Sequence, residues 1–141
     1  MKRDEHKALA TGESVNLATQ ENVVTITANT TLTAGDSGKV FLIATDGLTV
    51  TLPATQAGLE FTFINSGAAG NNIITVAPVA ADGICGTITL ASSVVTRVGT
   101  VNTALVNTKA TSTLGNSAKI VGTGITGTKA YVIVSSTGIW A

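Results

Sequence analysis

Three glycines near the C-terminus have a spacing that could do chemistry. Gly122, Gly124 and Gly127, in "IVGTGITGTKAYVIV" (120–134), match the G-x-G-x-x-G pattern of a loop that cradles a dinucleotide pyrophosphate. That chemistry needs a strand, the glycine turn, and then a helix whose N-terminus faces the phosphates. Here the glycines run into "TKAYVIV", a β-branched stretch that reads as a strand, and no acidic residue follows to hold a ribose. The glycines are expected to form a hairpin loop, and no cofactor is expected. "TAGDSGKV" (33–40) ends in Gly-Lys as a phosphate-binding Walker loop does, but Gly35 and Gly38 are too close together. Val40 also stands where the magnesium-binding hydroxyl belongs, so this segment reads as a turn into a strand.

The remaining reactive side chains are isolated. Cys85 is the only cysteine, so no intrachain disulfide can form, and a small buried thiol is the expected role. A catalytic cysteine needs a base, and the only histidine, His6, lies in the charged N-terminal segment. Asp36, Asp46 and Asp82 each sit beside or near glycine, where an aspartate side chain bonds the local backbone of a turn. Their spacing supports no metal site. Glu60 alternates outward between Leu59 and Phe61, and no pair of carboxylates points to glycoside hydrolysis. Hydroxyls are abundant but lack a base. No catalytic, cofactor-binding or metal-ligating residue is assigned, and the chain is not expected to be an enzyme. Trp140 and Tyr131 could form a sugar platform, although such residues are more often core or interface anchors.

The elements that would position these residues are strands. The candidates are "NVVTITA" (22–28), "KVFLIA" (39–44), "LTVTLP" (48–53), "LEFTFIN" (59–65), "IITVAP" (73–78), "ICGTITL" (84–90), "VVTRV" (94–98), "TALVNT" (103–108), "AKIVG" (118–122), "AYVIVS" (130–135) and "GIWA" (138–141). "KVFLIA" is expected to be buried on both faces. Leu59, Phe61 and Phe63 share one face of their strand. Asp46-Gly47, between two apolar runs, predicts a hairpin, and Asp82-Gly83 marks another turn. Thr-x-Thr pairs begin at Thr25, Thr31, Thr49, Thr87 and Thr111, at irregular intervals that hold no solenoid register. They read as threonines on exposed strand faces. Many short strands with Gly/Asn/Asp turns predict an all-β fold, an antiparallel sandwich or barrel of jelly-roll or tulip-like form.

Composition bounds the partners. Of 141 residues, 44% are hydrophobic, 4% aromatic and only 11% charged, with 8 basic and 8 acidic residues. The charged share is less than half the usual ~25%. No basic footprint calls for nucleic acid, and scattered Arg97, Lys109, Lys119 and Lys129 with few aromatics make no stacking platform. No apolar run approaches the roughly 18 residues of a membrane helix, and "MKRDEHKALATGES" is too charged for a signal peptide. Net charge near zero promotes association, which points to a subunit of an assembly. Charge concentrates at the start, in Lys2, Arg3, Asp4, Glu5, Lys7, Glu13 and Glu21. Residues 1–20 are therefore read as an extended polar arm and 21–141 as the β domain. Lys2, Arg3, Asp4, Glu5, Lys7, Leu9, Val15 and Leu17 are the candidate partner-binding residues of that arm.

The order of motifs also carries a resemblance. "GDSGKVFLIATDGLTVTLPATQAGLEFTFIN" (35–65), "NNIITVAPVAADGICG" (71–86) and "GNSAKIVG…KAYVIVSSTGIW" (115–140) resemble segments of tailed-phage virion proteins. In those, a Gly-Lys entry leads to x-Thr-Leu-Pro, then Ala-Gly-x-x-Phe-x-Phe, with a closing Gly-x-Ser strand pair and a terminal Gly-x-Trp. The resemblance covers most of residues 32–141, and one departure is Tyr131 and its neighbours, where a tryptophan is expected. It implies the bacteriophage head decoration (capsid cement) family, β-rich proteins commonly found as homotrimers over junctions of major capsid protein subunits. It implies no catalytic residues. The expected function is a structural one, binding the major capsid protein on the virion exterior after synthesis in the host cytoplasm. The alternative is a tail-fibre or spike module that binds a receptor or carbohydrate through exposed Trp140 and Tyr131. A depolymerase fragment ranks last because no acid–base set is identifiable.

Overall fold

Alternation of apolar and polar residues decides the architecture. The computed structural model describes residues 22–141, which form eleven strands and two short 3-10 turns, Ala34–Asp36 and Lys109–Thr111. The strands are β1 Val23–Ile26, β2 Thr30–Thr31, β3 Val40–Ile43, β4 Leu48–Thr51, β5 Glu60–Asn65 and β6 Ile74–Ala77. Then follow β7 Ile84–Thr89, β8 Val94–Arg97, β9 Leu105–Asn107, β10 Ser117–Gly122 and β11 Tyr131–Thr137. They build a seven-stranded sheet, β1-β3-β5-β10-β11-β7-β8, and a four-stranded sheet, β2-β4-β6-β9. The all-β expectation holds. The proposed arm, residues 1–20, with Lys2, Arg3, Asp4, Glu5, Lys7, Leu9, Val15 and Leu17, lies outside the described residues.

The expected antiparallel sandwich needs correction. The pairs β1–β3, β3–β5, β2–β4, β4–β6 and β7–β11 are parallel, and only four pairs are antiparallel. Neither sheet has the all-antiparallel pairing of a jelly roll. From β1 to β6 the chain alternates between the sheets at every step, so each strand stacks beside the one two earlier. Parallel neighbours need a crossover, and here the crossover is the opposite sheet. The result is a short coil of three arches. Its coils differ in length: Val23 lies beside Val40 and Val40 beside Thr62, while Thr30 lies beside Val50 and Val50 beside Val76. A solenoid-like stack is therefore present without a fixed period, and the absence of a period is what hid it.

The same connectivity overturns the Asp46-Gly47 hairpin. β3 and β4 lie in different sheets, and this turn carries the chain between them. Gly47 takes the left-handed backbone (φ +81°) that the Asp-Gly pair supplies. A turn signal fixes where the chain bends, and not whether the next strand pairs with the last or crosses to another layer. The β10–β11 pair, by contrast, is the expected antiparallel hairpin.

The core fills the space between the sheets. Phe41, Ile43, Phe61, Phe63, Val50, Val76, Leu105, Ile120, Tyr131 and Trp140 are among its fully buried members. Leu59, Phe61 and Phe63 share the inner face of the chain entering and forming β5, as expected. Phe41 and Phe63 are register partners on parallel β3 and β5, and their rings stack at 5.6 Å. "KVFLIA" is not buried on both faces: Phe41 and Ile43 point inward, while Val40 and Leu42 are half-buried. Residues 138–141, expected as a strand, make only single bridges, Thr89–Ile139 and Asn107–Trp140.

Candidate interaction surface

The chemically capable residues stay apart. Gly124 and Gly127 lie in the loop joining β10 to β11, with φ of +79° and +118°. A Cβ at Gly122 would lie 2.4 Å from the Gln56 carbonyl oxygen, so this glycine serves close backbone packing. A strand follows the loop where a phosphate-binding helix would have to begin. In "TAGDSGKV", Asp36 accepts the Thr33 amide at 2.9 Å and the Lys39 ammonium at 2.8 Å, which closes a capped turn. Asp46 accepts the Ile73 amide at 2.8 Å and pairs with Lys109, tying three loops together. Asp82 is buried and accepts the Thr55 amide at 2.8 Å. The three aspartates occupy separate turns, and among the described residues no cluster of three His, Cys, Asp or Glu could hold a metal. Cys85 is half-buried on β7 where a buried thiol is expected, and His6 lies outside the described residues.

Burial decides between the two readings of Trp140 and Tyr131 in favour of core anchors. Trp140 and Tyr131 are each 0% exposed. The Trp140 indole donates to the Thr137 carbonyl at 3.1 Å, and the Tyr131 hydroxyl donates to the Pro53 carbonyl at 2.7 Å. Burial, followed by the nearby Asp82 charge, holds the Tyr131 hydroxyl neutral well beyond the usual phenol range. Neither ring offers a face to a sugar.

Charge on the described body is almost entirely neutralised. Asp36 pairs with Lys39, Asp46 with Lys109, and Glu60 with Lys119 at 3.0 Å across β5 and β10. The Lys39 hydrogen bond and then the Thr33 amide lower the Asp36 carboxyl below the usual range. Hydrogen bonds from Lys109 and then Ile73 do the same for Asp46. The Arg97 guanidinium donates to the carbonyls of Ile84, Thr103 and Ala104 at 3.0, 3.3 and 2.8 Å, and burial lowers its pKa. Among the described residues, Lys129 is then the one charged side chain that is exposed and unpartnered.

Exposed apolar residues occupy the surface that charge leaves free. Val94 (67% exposed) and Val98 (80%) lie on and just after β8, the outermost strand of the large sheet. Val134 (53%) is the extra residue of a register shift in β11 beside Lys119/Ile120. The run "VVTRV" reads as a strand, and its place at a sheet edge emerges from the fold. The readable signal was its outward triplet Val94, Thr96, Val98, which has none of the lysine or proline that usually protects an edge.

A buried polar network of asparagines has no signal in the sequence pattern. Asn65 and Asn72 are fully buried, as is Asn107, and Asn116 is nearly so. Asn65 Nδ2 donates to Asn107 Oδ1 at 2.9 Å, joining β5 of one sheet to β9 of the other. Asn72 Nδ2 donates to Asn65 Oδ1 and to the Ile43 carbonyl, each at 2.9 Å. Asn107 Nδ2 donates to Asn116 Oδ1 at 3.3 Å and to the Ile139 carbonyl at 3.0 Å. Among the described residues Asn72 Oδ1 is the one buried side-chain polar atom left without a partner, and the bonds that are made fix which ends of the sheets meet, because any other pairing strands these amides away from water. No family model matches the chain, and no curated protein matches it by sequence.

Proposed function

We propose that this chain is a virion structural protein of a tailed bacteriophage, a decoration or cement protein that binds the major capsid protein on the outside of the head and stabilises the shell. The observation that supports this reading is the near absence of free charge over a rigid two-sheet body, with valines left exposed. Such a surface binds by shape and apolar contact to protein neighbours. The motifs at 35–65, 71–86 and 115–140 supply the link to phage heads. The active form is a homotrimer. Residues 1–20 act as an extended arm along capsid subunits, with Lys2, Arg3, Asp4, Glu5, Lys7, Leu9, Val15 and Leu17 making the contacts. A body ordered in advance loses little entropy on binding, and several arms per trimer multiply weak contacts into avidity.

The test is cosedimentation with phage heads lacking the protein. Full-length chain pellets with the heads, whereas a folded trimer lacking residues 1–20 stays in the supernatant. Equal binding by the truncated form removes the arm from the account. Full-length chain that ignores heads and binds isolated tails removes the capsid reading.

A further inference from the structure

We propose that β8 is a self-pairing edge, joining the large sheet of one copy to that of a second copy in antiparallel register across a two-fold axis at Thr96. The hairpin entering β8 sets the geometry, since the Leu90 amide donates to the Ser93 carbonyl at 2.7 Å. Antiparallel partners alternate between hydrogen-bonded and non-bonded pairs. Leu90 and Ser93 form a bonded pair, so Ile88–Val95 and Gly86–Arg97 are bonded too, and Thr89–Val94 and Thr87–Thr96 are not. The N–H and C=O groups of Val94, Thr96 and Val98 therefore point away from β7, along an edge that no other strand among the described residues covers.

These three residues are symmetric about Thr96. A two-fold axis there sets Thr96 against its own copy and Val94 of each copy against Val98 of the other. Two copies exchange about six backbone hydrogen bonds. The cross-strand pairs are Val–Val and Thr–Thr, which suit a pleated surface. No net charge opposes the approach of a second copy, since the chain carries 8 acidic and 8 basic residues. Arg97, the only charge on β8, is turned onto the carbonyls of Ile84, Thr103 and Ala104 of its own chain. The edge also lacks proline and lysine, the usual blocks to strand addition. Five residues of edge extend about 17 Å. That contact is smaller than the roughly 1,200–2,000 Å² of a stable interface, so the pairing is weak in dilute solution and grows with local concentration.

Cross-linking tests the register. In a Cys85→Ser background, Thr96→Cys places two thiols on the axis. Bonded antiparallel partners have Cα atoms about 5.5 Å apart, inside the range of about 4.4–6.8 Å for a disulfide. Under mild oxidation Thr96→Cys gives a covalent dimer on a non-reducing gel. Thr87→Cys, one strand inward, gives at least tenfold less. Adding Val94→Lys to Thr96→Cys lowers the dimer yield at least tenfold while the circular dichroism spectrum stays unchanged. Two results overturn the proposal: equal cross-linking at positions 87 and 96, or no dimer from folded Thr96→Cys at millimolar concentration. Cross-linking in phage lysate only to a different protein would assign the edge to that partner and also overturn self-pairing.

Discussion

Replacing Asn107 with alanine tests whether the buried asparagines hold the two sheets together. Asn107 accepts from Asn65 Nδ2 at 2.9 Å and donates to the Ile139 carbonyl at 3.0 Å and to Asn116 Oδ1 at 3.3 Å. Asn116 Oδ1 keeps a second donor, the Thr113 amide at 2.9 Å. The Asn65 amide and the Ile139 carbonyl lose their partners. Stranding a buried polar group costs about 1–3 kcal/mol, so these two predict a loss of about 2–6 kcal/mol, toward the lower end because the Ile139 carbonyl is only part-buried. That is a large part of the roughly 5–15 kcal/mol that holds a domain folded. Trp140 is the only tryptophan and is fully buried, so its fluorescence in urea reports unfolding. Asn65→Ala combined with Asn107→Ala should destabilise by about 1–3 kcal/mol less than the two single changes summed, because the shared bond is counted once. A loss below about 1 kcal/mol for Asn107→Ala, with additive behaviour in the double variant, would refute the reasoning.

Gly99→Ala should unfold the protein or destabilise it by more than about 3 kcal/mol, since an added Cβ would sit 1.7 Å from the Thr128 carbonyl oxygen. Gly70→Ala, where a Cβ meets nothing within 4 Å but φ is +69°, should cost only about 1–2 kcal/mol of strain, and thermal melts compare the two. Tyr131 is the only tyrosine and its folded pKa is raised. Its contribution to stability is complete below the unfolded value of about 10 and is lost as pH rises toward the folded value. Absorbance near 295 nm should show no phenolate at about pH 10 in the folded protein, and its appearance there without unfolding would contradict the buried placement. The Asp36 carboxyl is shifted the other way, so its contribution is present above the unfolded value of about 3.9 and is lost as pH falls through the folded one. Asp36→Asn should flatten the acid limb of a stability–pH curve.

Local pattern made the strands legible, and long-range connection was the part it could not carry. "LEFTFIN" announces a face of Leu59, Phe61 and Phe63 because side-chain direction alternates along any strand. The glycines from 122 to 127 are legible as a hairpin loop because the run after them is a strand. Asp46-Gly47 misled because the same two residues can close a hairpin or turn a chain into an opposite sheet. The coil from β1 to β6 was hidden by arches of unequal length, and two-residue β2 is too short to show a pattern. Asn65 and Asn107 are legible as the ends of the strands "LEFTFIN" and "TALVNT", yet nothing local shows that each is buried inside the sandwich, beside Ile43 and Ile74. Their partner is in the other sheet, which no local window contains. Tyr131 and Trp140 admitted both a core and a sugar-binding role, and only burial separates the two.

Electron cryomicroscopy of virions carrying this polypeptide tests most directly the proposal that it grips a phage head from outside. The account predicts two-sheet β density on the outer capsid surface, repeated over junctions of capsid subunits. Density for this chain on the tail, or virions that contain none of it, would contradict the account.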